Sequence, residues 1–281
     1  VLICKIPAQI PQGRAAVMSQ RDAPGCAKTA AKTVAGTRRW PAAFRRAAAA
    51  SLAKLGVHAC SQNGEDVALH AQFFAEDDRP GTYVEMGALD GLVLSNTVAL
   101  DRMLLWDGVL VEANPHLCPT LMRNRPNART LCTAVSANYS VLQFEKGSYT
   151  STFGEVAVMD TEHRKFHRGH SPNVRVPSAP LGQLLRMVGL RKIDLFSLDV
   201  EGSEIKVLST HDWSLPVRVW CIEVAEERRA AIDALMSSKG YRHTRWLANG
   251  NFSFSGSDLW VWDGAWTPEM FTWQQYHRLS R

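Results

Sequence analysis

A glycine-rich turn that begins with an acidic residue is the first feature of the sequence that could bind a ligand. It spans residues 85–91 (EMGALDG) and follows a short apolar run. Gly87 and Gly91 would let the backbone approach a ligand closely, because a β-carbon at either position would stand in the way. The carboxylate of Glu85 would repel a phosphate and suits an ammonium group. The turn therefore indicates a nucleotide-like ligand that carries an ammonium group and no phosphate.

A second acidic residue, Glu112, ends the next apolar run and follows Gly91 by 21 positions. A carboxylate at the end of a second strand can accept hydrogen bonds from both hydroxyls of a ribose. S-adenosylmethionine (SAM) has a ribose, an ammonium group and a sulfonium centre but no phosphate, so Glu85 and Glu112 together predict SAM as the cofactor. An NAD-dependent oxidoreductase is the enzymatic alternative, but residues 85–91 lack its Gly-x-Gly-x-x-Gly pattern.

Three further carboxylates follow two later apolar runs. Asp199 and Glu201 come at the end of one run, and Glu223 comes at the end of the next. Such groups could orient an acceptor hydroxyl, take its proton as general base, or hold a divalent cation that acidifies it. For Glu201 the alternative is an N-cap of the helix that begins near Ser203. We predict Asp199, Glu201 and Glu223 as catalytic residues, and the need for a metal ion stays open.

The elements that must position these residues alternate in type. From Ser61 onward short apolar runs alternate with amphipathic segments, which is typical of βαβ units and a mostly parallel sheet. The predicted strands are residues 82–86, 108–112, 129–135, 193–199 and 218–224, with a closing antiparallel hairpin at 241–247 and 258–262. The predicted helices are residues 65–74, 95–106, 115–124, 180–188, 203–210 and 226–240. The predicted fold class is α/β, with a Rossmann-like, doubly wound, seven-stranded sheet and helices on both faces.

Two segments have no assigned place in this sheet. Residues 146–176 lack a clear period, which predicts a substrate loop or lid. This segment contains His163, His167 and His170 among basic residues. A solvated basic loop is favoured over a metal site, and a loop that faces an acidic or phosphorylated acceptor is an intermediate hypothesis. The aromatic residues from Trp260 to Trp273 could stack on a sugar, but packing in the core is the favoured interpretation.

The first 60 residues differ from the rest in composition. They hold ten Lys or Arg and one acid, whereas the remainder holds 22 basic and 26 acidic residues and is mildly acidic. This charge distribution excludes nucleic acid as the main partner. We predict an N-terminal extension at residues 1–60 and a catalytic domain at 61–281. The extension is interpreted as a leader, an organelle transit peptide or a packed helix after Pro41, with an apolar face at Phe44, Ala48, Leu52 and Leu55.

Cysteines and hydropathy limit the cellular context. The six cysteines show no CxxC pair and no zinc-like spacing, which predicts neither a metal site nor a disulfide framework and favours a reducing compartment. No apolar run approaches the roughly 18–20 residues that span a bilayer. We expect a soluble, cytoplasmic enzyme without a membrane partner, or an organelle enzyme if the extension is a transit peptide.

Several short motifs occur in an order that resembles one family. They are residues 61–66 (SQNGED), 85–91 (EMGALDG), 95–97 (SNT), 106–115 (WDGVLVEANP), 124–125 (NR) and 198–204 (LDVEGSE). Over roughly residues 61–263 the chain resembles the FkbM-family methyltransferases, which are SAM-dependent enzymes with a class I Rossmann-like fold. The resemblance implies O-methylation of a hydroxyl on a sugar or secondary metabolite. It implies SAM contacts at Glu85, where the family more often has Asp, and at Gly87, Asp90, Asn96 and Glu112.

The predicted site therefore has a cofactor part and an acceptor part. The alternative to an enzyme is a non-catalytic scaffold on the same fold, which the retained acids at 85, 112, 199 and 201 disfavour. The predicted SAM contacts are Gln62, Glu65, Glu85, Gly87, Ala88, Asp90, Gly91, Asn96, Glu112, Ala113, Asn114, Ala134 and Asp199.

Overall fold

The computed structural model describes residues 39–55, 61, 64–146, 153–155, 174–244 and 257–264. The chain divides into two compact units. Within the described residues the first unit contains 39–81 and 92–107, and the second contains 82–91 and 108–264. The predicted boundary at residue 60 falls among residues 56–60, which lie outside the described part.

The first unit contains three helices within its described residues. They are α1 (Ala42–Leu55), α2 (Glu65–Leu69), which continues as a π-helical turn (His70–Phe74), and α3 (Val98–Leu104). The predicted helix after Pro41 is confirmed, because the Pro41 carbonyl accepts hydrogen bonds from the amides of Phe44 and Arg45. Ala48 and Leu52 are buried on its apolar face. Helix α1 contacts α2 and α3, so this part of the basic segment is packed within its unit.

The second unit is built on strands, of which one central strand is buried along its whole length. In chain order the strands are β1 (Thr82–Met86), β2 (Asp107–Glu112), β3 (Arg129–Cys132), β4 (Ala134–Val135), β5 (Ser140–Lys146), β6 (Phe153–Glu155), β7 (Val174–Ala179), β8 (Ile193–Leu198), β9 (Val217–Glu223), β10 (Tyr241–Thr244) and β11 (Ser257–Trp262). Every residue of β8 is buried. Continuous apolar runs of this kind occur where a sheet is covered on both faces.

The described strands form a seven-stranded sheet in the order β10-β11-β9-β8-β1-β2-β3. The pairs β1/β8, β8/β9 and β2/β3 are parallel, whereas β11 is antiparallel to both β9 and β10. This confirms the predicted α/β class with a mostly parallel sheet and a closing antiparallel hairpin. The helices that accompany the sheet in this unit are α4 (Cys118–Asn124), α5 (Leu181–Met187), α6 (Glu204–Ser209) and α7 (Glu226–Ser238).

A second sheet was not predicted. Its described strands have the order β4-β7-β5-β6. The prediction of one strand at residues 129–135 is wrong, because the chain changes sheets at Thr133. Strand β3 pairs with β2 up to Cys132, and β4 then pairs in parallel with β7. Part of the predicted loop at 146–176 is also strand, namely β6 and the start of β7, while residues 147–152 and 156–173 lie outside the described part.

The prediction that the cysteines form no disulfide is wrong for one pair. Cys118, at the start of α4, is bonded to Cys132, at the end of β3. The two residues are 14 positions apart, and the helix and the strand between them bring their Cα atoms to 6.0 Å. Cysteine spacing alone carries no information about this approach.

The hydrophobic core of the second unit includes side chains of β8 and β9. Phe196 and Trp220 stack with ring centroids 4.3 Å apart, and both are fully buried. Trp260 is also fully buried, and Trp262 packs against the same core, so core packing is confirmed for these two aromatic residues. Trp273 lies outside the described residues. None of the helices in the described part of the chain combines the length and apolarity that crossing a bilayer requires.

Candidate active site

Four neighbouring strand ends bring the predicted acids of the second unit to one edge of the sheet. Met86 pairs with Leu198 and Leu198 pairs with Ile222, so Gly87, Asp199 and Glu223 follow at the same level. The amides of Gly87 and Ala88 both donate to the carbonyl of Val111, which places the turn beside Glu112. The carboxyl ends of parallel strands are where ligands bind in sheets of this class.

The turn of residues 85–91 contains two glycines whose conformation and surroundings exclude other residues. Gly87 has φ +85° and Gly91 has φ +82°, which is the left-handed region. A β-carbon on Gly87 would overlap the carbonyl oxygen of Asp199, and one on Gly91 would lie 2.7 Å from the Cγ of Arg125. The prediction assigned both glycines to ligand approach. The structure explains them by close packing inside the protein.

Glu112 is held by backbone amides on both of its carboxylate oxygens. Its Oε2 accepts a hydrogen bond from the amide of Leu89 at 2.8 Å, and its Oε1 accepts one from the amide of Asn114 at 2.6 Å. Burial raises the pKa of Glu112 to about 7, although these hydrogen bonds oppose the rise. The backbone of Ala113 also hydrogen-bonds to this carboxylate, so of its roughly four acceptor positions about one remains for a ribose hydroxyl.

Glu85 has a buried counter-ion that the sequence did not reveal. Its side chain is 5% exposed, and its Oε2 lies 3.8 Å from Nη1 of Arg125, whose side chain is fully buried. An opposite charge at this distance offsets part of the cost of taking a carboxylate out of water. Arg125 belongs to a motif of the resemblance, but its pairing with a residue 40 positions earlier has no signal in either local pattern.

Asp199 lies among other carboxyl groups. Burial by surrounding protein atoms raises its pKa well above the usual value, and the charge of Glu223 and a hydrogen bond with Glu223 raise it further, followed by the charges of Glu201 and Glu204. The side chain is nevertheless accessible to solvent, which weakens the effect of burial and leaves the carboxyl neighbours as the firmer cause. A raised pKa makes the ionised carboxyl group a stronger base, which suits proton transfer.

The N-cap alternative for Glu201 is not what the structure shows. Glu201 has φ +54° and Gly202 has φ +101°, so the chain turns sharply before α6. Oε1 of Glu204 accepts hydrogen bonds from the amides of Gly202 at 3.0 Å and Val200 at 3.4 Å. Its Oε2 lies 3.6 Å from Nε of Arg228. Glu204, which was quoted only as part of a motif, therefore holds this turn, and the catalytic role of Glu201 stays a prediction.

The other predicted SAM contacts fall into four groups. Near the turn, Ala88 and the side chain of Asn114 are buried, Ala113 is half-buried, and the carbonyl of Asp90 accepts a hydrogen bond from Asn124. Ala134 packs in a hydrophobic cluster of the second sheet with Phe144 and Val176, which accounts for it without a ligand. The first unit contains Glu65 and Asn96, and their contact with SAM stays a prediction. Gln62 and the histidines at 163, 167 and 170 lie outside the described residues.

A metal site is the remaining possibility that the sequence left open. Among the residues that the structure describes, no group of three or more His, Cys, Asp or Glu side chains is arranged to hold a metal ion.

The family model described as "Methyltransferase FkbM domain" matches residues 85–243, more than half of the chain. No curated protein matches the chain. Three solved structures are similar at low identity. The fibrillarin pre-rRNA processing protein of Methanococcus jannaschii is 11% identical over 66% of this chain and 68% of that one, with a TM-score of 0.39. A precorrin-6y C5,15-methyltransferase from Geobacter metallireducens is 10% identical over 73% and 91%, with a TM-score of 0.40. A TehB-like SAM-dependent methyltransferase from Corynebacterium glutamicum is 11% identical over 79% and 99%, with a TM-score of 0.38.

Proposed function

The chain belongs to the FkbM family of SAM-dependent methyltransferases, and we propose that it transfers the methyl group of SAM to a hydroxyl oxygen of a sugar or a secondary metabolite. The observation that supports this proposal most is the alignment of Glu112, the glycine turn and Asp199 at consecutive strand ends. A site for a ribose and a site for proton transfer are thereby neighbours on one sheet edge.

The cofactor side of the edge matches a ligand with a ribose and a positive charge. We assign the remaining acceptor capacity of Glu112 to the ribose hydroxyls. The turn that begins at Glu85 would face the amino-acid end of SAM, where an ammonium group needs an acceptor. When bound there, SAM supplies a methyl group made electrophilic by its sulfonium centre.

The acceptor side of the edge matches general-base chemistry. In the proposed reaction the acceptor oxygen attacks the methyl carbon in line, the new C–O bond forms as the C–S bond breaks, and S-adenosylhomocysteine leaves. Asp199 would orient the acceptor hydroxyl and take its proton. Glu223 shares a hydrogen bond with Asp199 and would stabilise the protonated form. Positioning of the two reactants would contribute most of the rate.

The charge of the chain outside its first 60 residues indicates the class of acceptor. Outside the first 60 residues the chain has 22 basic and 26 acidic residues. A mildly acidic body supports a small hydroxylated molecule or a glycan over a nucleic acid, whose phosphates require a basic surface.

The test is a transfer assay with SAM that carries an isotope-labelled methyl group. The purified protein is incubated with a panel of sugars, glycosides and hydroxylated metabolites, and the products are examined by NMR. We expect the label in a methoxy group of at least one product. A labelled methyl on nitrogen, carbon or sulfur would refute O-methylation while leaving methyl transfer intact.

A further inference from the structure

Asn124 and Arg125 form a motif that the proposed chemistry does not use. Asn124 is the last residue of α4 and Arg125 comes next, and both side chains reach back to the turn of residues 85–91. Nδ2 of Asn124 donates to the carbonyl of Asp90 at 2.8 Å, and Nη1 of Arg125 donates to the carbonyl of Gly91 at 3.0 Å. Two consecutive side chains thus hold two consecutive carbonyls at the end of the turn.

Arg125 also holds the strand from which the turn begins. Its Nη2 donates to the hydroxyl of Tyr83 at 2.6 Å, and its guanidinium lies 5.4 Å from the centre of the Tyr83 ring. Its Nη1 is 3.8 Å from the carboxylate of Glu85. One buried cation therefore connects β1 with the far end of the turn, across the segment in which a cofactor would lie.

The fit between the turn and this arginine is also steric. A β-carbon on Gly91 would lie 2.7 Å from Cγ of Arg125 and 2.7 Å from a methyl carbon of Leu121. The arginine stem therefore occupies the space that any other residue at position 91 would need. A lysine could supply the charge but not the planar fork that reaches the Gly91 carbonyl and the Tyr83 hydroxyl together.

We propose that Asn124 and Arg125 are positioning residues that set residues 85–91 for the amino-acid end of the cofactor. This inference rests on the proposed function, since it assumes that the turn faces SAM. Arg125 fixes the place of the Glu85 carboxylate through its charge, and the two carbonyl contacts fix the path of the backbone at Asp90 and Gly91. The ribose end depends instead on Glu112, which makes none of the described hydrogen bonds with Asn124 or Arg125.

Two ligands separate this role from a general structural one. S-adenosylhomocysteine contains the amino-acid end, whereas 5′-methylthioadenosine has the same adenosine and thioether but lacks that end. In Arg125→Lys and in Asn124→Ala we expect calorimetry to show about tenfold weaker binding of S-adenosylhomocysteine. Binding of 5′-methylthioadenosine should change by no more than about twofold. Circular dichroism and thermal melting check that each variant is folded, and Asn124→Ala serves if Arg125→Lys does not fold.

The matched control is Arg123→Ala on the same helix. Arg123 is exposed, and its Nη2 donates only locally to the hydroxyl of Thr120 at 2.8 Å. Both ligands should bind this variant as they bind the wild type. The inference would be overturned if the folded Arg125 or Asn124 variants bound both ligands equally more weakly, or if they bound both as tightly as the wild type does. Failure of the wild type to bind either ligand would instead overturn the proposed function, and this inference with it.

Discussion

At the scale of single residues, the carboxyl group of Asp199 is the one whose surroundings fit proton transfer. Its pKa is raised by burial and by Glu223, Glu201 and Glu204, and it stands level with the glycine turn. Asp199→Asn keeps the size and hydrogen bonding of the side chain but removes the base. We expect turnover to fall by about a hundredfold to ten-thousandfold while affinity for S-adenosylhomocysteine stays nearly unchanged, as measured by initial rates and calorimetry.

A matched control for this substitution is Asp263→Asn. Asp263 also follows a strand, but β11 runs antiparallel to β9, so Asp263 lies at the opposite edge of the sheet, where it is exposed. Its substitution should leave the turnover rate as in the wild type. Full activity in Asp199→Asn would show that the general base lies elsewhere.

The acids of the site could be predicted from the sequence, but their partners could not. Glu112, Asp199 and Glu223 each end an apolar run, and the ends of parallel strands meet at one edge whatever the details of packing. Arg125 and Glu204 act through contacts that depend on the folded backbone. The guanidinium of Arg125 reaches a hydroxyl 42 residues earlier in the chain, which no local pattern encodes.

At the scale of elements, a substitution in the turn of residues 85–91 tests whether internal packing is the reason for its glycines. Gly91→Ala adds a methyl group that meets the stem of Arg125 and must also adopt φ +82°. Gly189 has φ +74° with nothing within 4 Å of its β-position, so Gly189→Ala carries the backbone cost alone. In urea denaturation, Gly189→Ala should show a loss of about 1 kcal/mol in the free energy of unfolding. For Gly91→Ala the loss should be at least about 2 kcal/mol. Equal losses of unfolding free energy in the two variants would mean that the side chain of Arg125 can move aside without destabilising the fold.

The bond between Cys118 and Cys132 gives a second prediction at this scale. A disulfide that closes a loop of 14 positions restricts the unfolded chain and stabilises the fold by about 3 kcal/mol. Reduction with dithiothreitol should lower the free energy of unfolding of the wild type by roughly this amount. The double variant Cys118→Ala and Cys132→Ala should lose this part of the response to the reductant, although it retains four other cysteines, of which Cys221 is buried. A wild type that is insensitive to reduction would show that the pair is not bonded in solution.

The central strands of the main sheet, β1, β2, β8 and β9, were predictable because each contains a run of mostly apolar residues. The second sheet was not, for a physical reason. Its strand β4 has two residues, and β5 is defined by pairing with β7, in which Ser140 lies opposite Ser178. Strands that depend on distant partners in this way leave little periodic signal of their own.

At the scale of the whole molecule, buried ionisable groups in both units decide how stability changes with pH. Burial raises the pKa of Asp66 to about 6 and of Glu112 to about 7, and lowers the pKa of His70 and His211 to about 4. The unfolded histidines are still partly protonated at pH 6.5 and lose these protons as pH rises, so His70 and His211 add stability between pH 6.5 and pH 8 and oppose the effect of the carboxyl groups. The carboxyl groups bind more protons when folded, so their contribution to stability is lost as pH rises through the folded pKa.

We therefore expect the stability of the wild type, relative to that of Glu112→Gln, to decrease between pH 6.5 and pH 8. Glu112 accounts for a decrease of about 1 kcal/mol over this interval, whereas Asp66 and the histidines contribute equally in both proteins. Scanning calorimetry of both proteins at the two pH values, in buffers of equal ionic strength, measures the effect through the difference between their melting temperatures. A difference that stays constant with pH would contradict the raised pKa of Glu112.

The measurement that tests the account most directly is calorimetric titration of the purified protein with S-adenosylhomocysteine, repeated on Glu112→Ala and on Asp263→Ala as control. The account predicts micromolar binding by the wild type and the control and a loss of most of that affinity in Glu112→Ala. No binding by the folded wild type would contradict a cofactor site at this edge and favour a non-catalytic scaffold. Undiminished binding by Glu112→Ala would place the cofactor elsewhere.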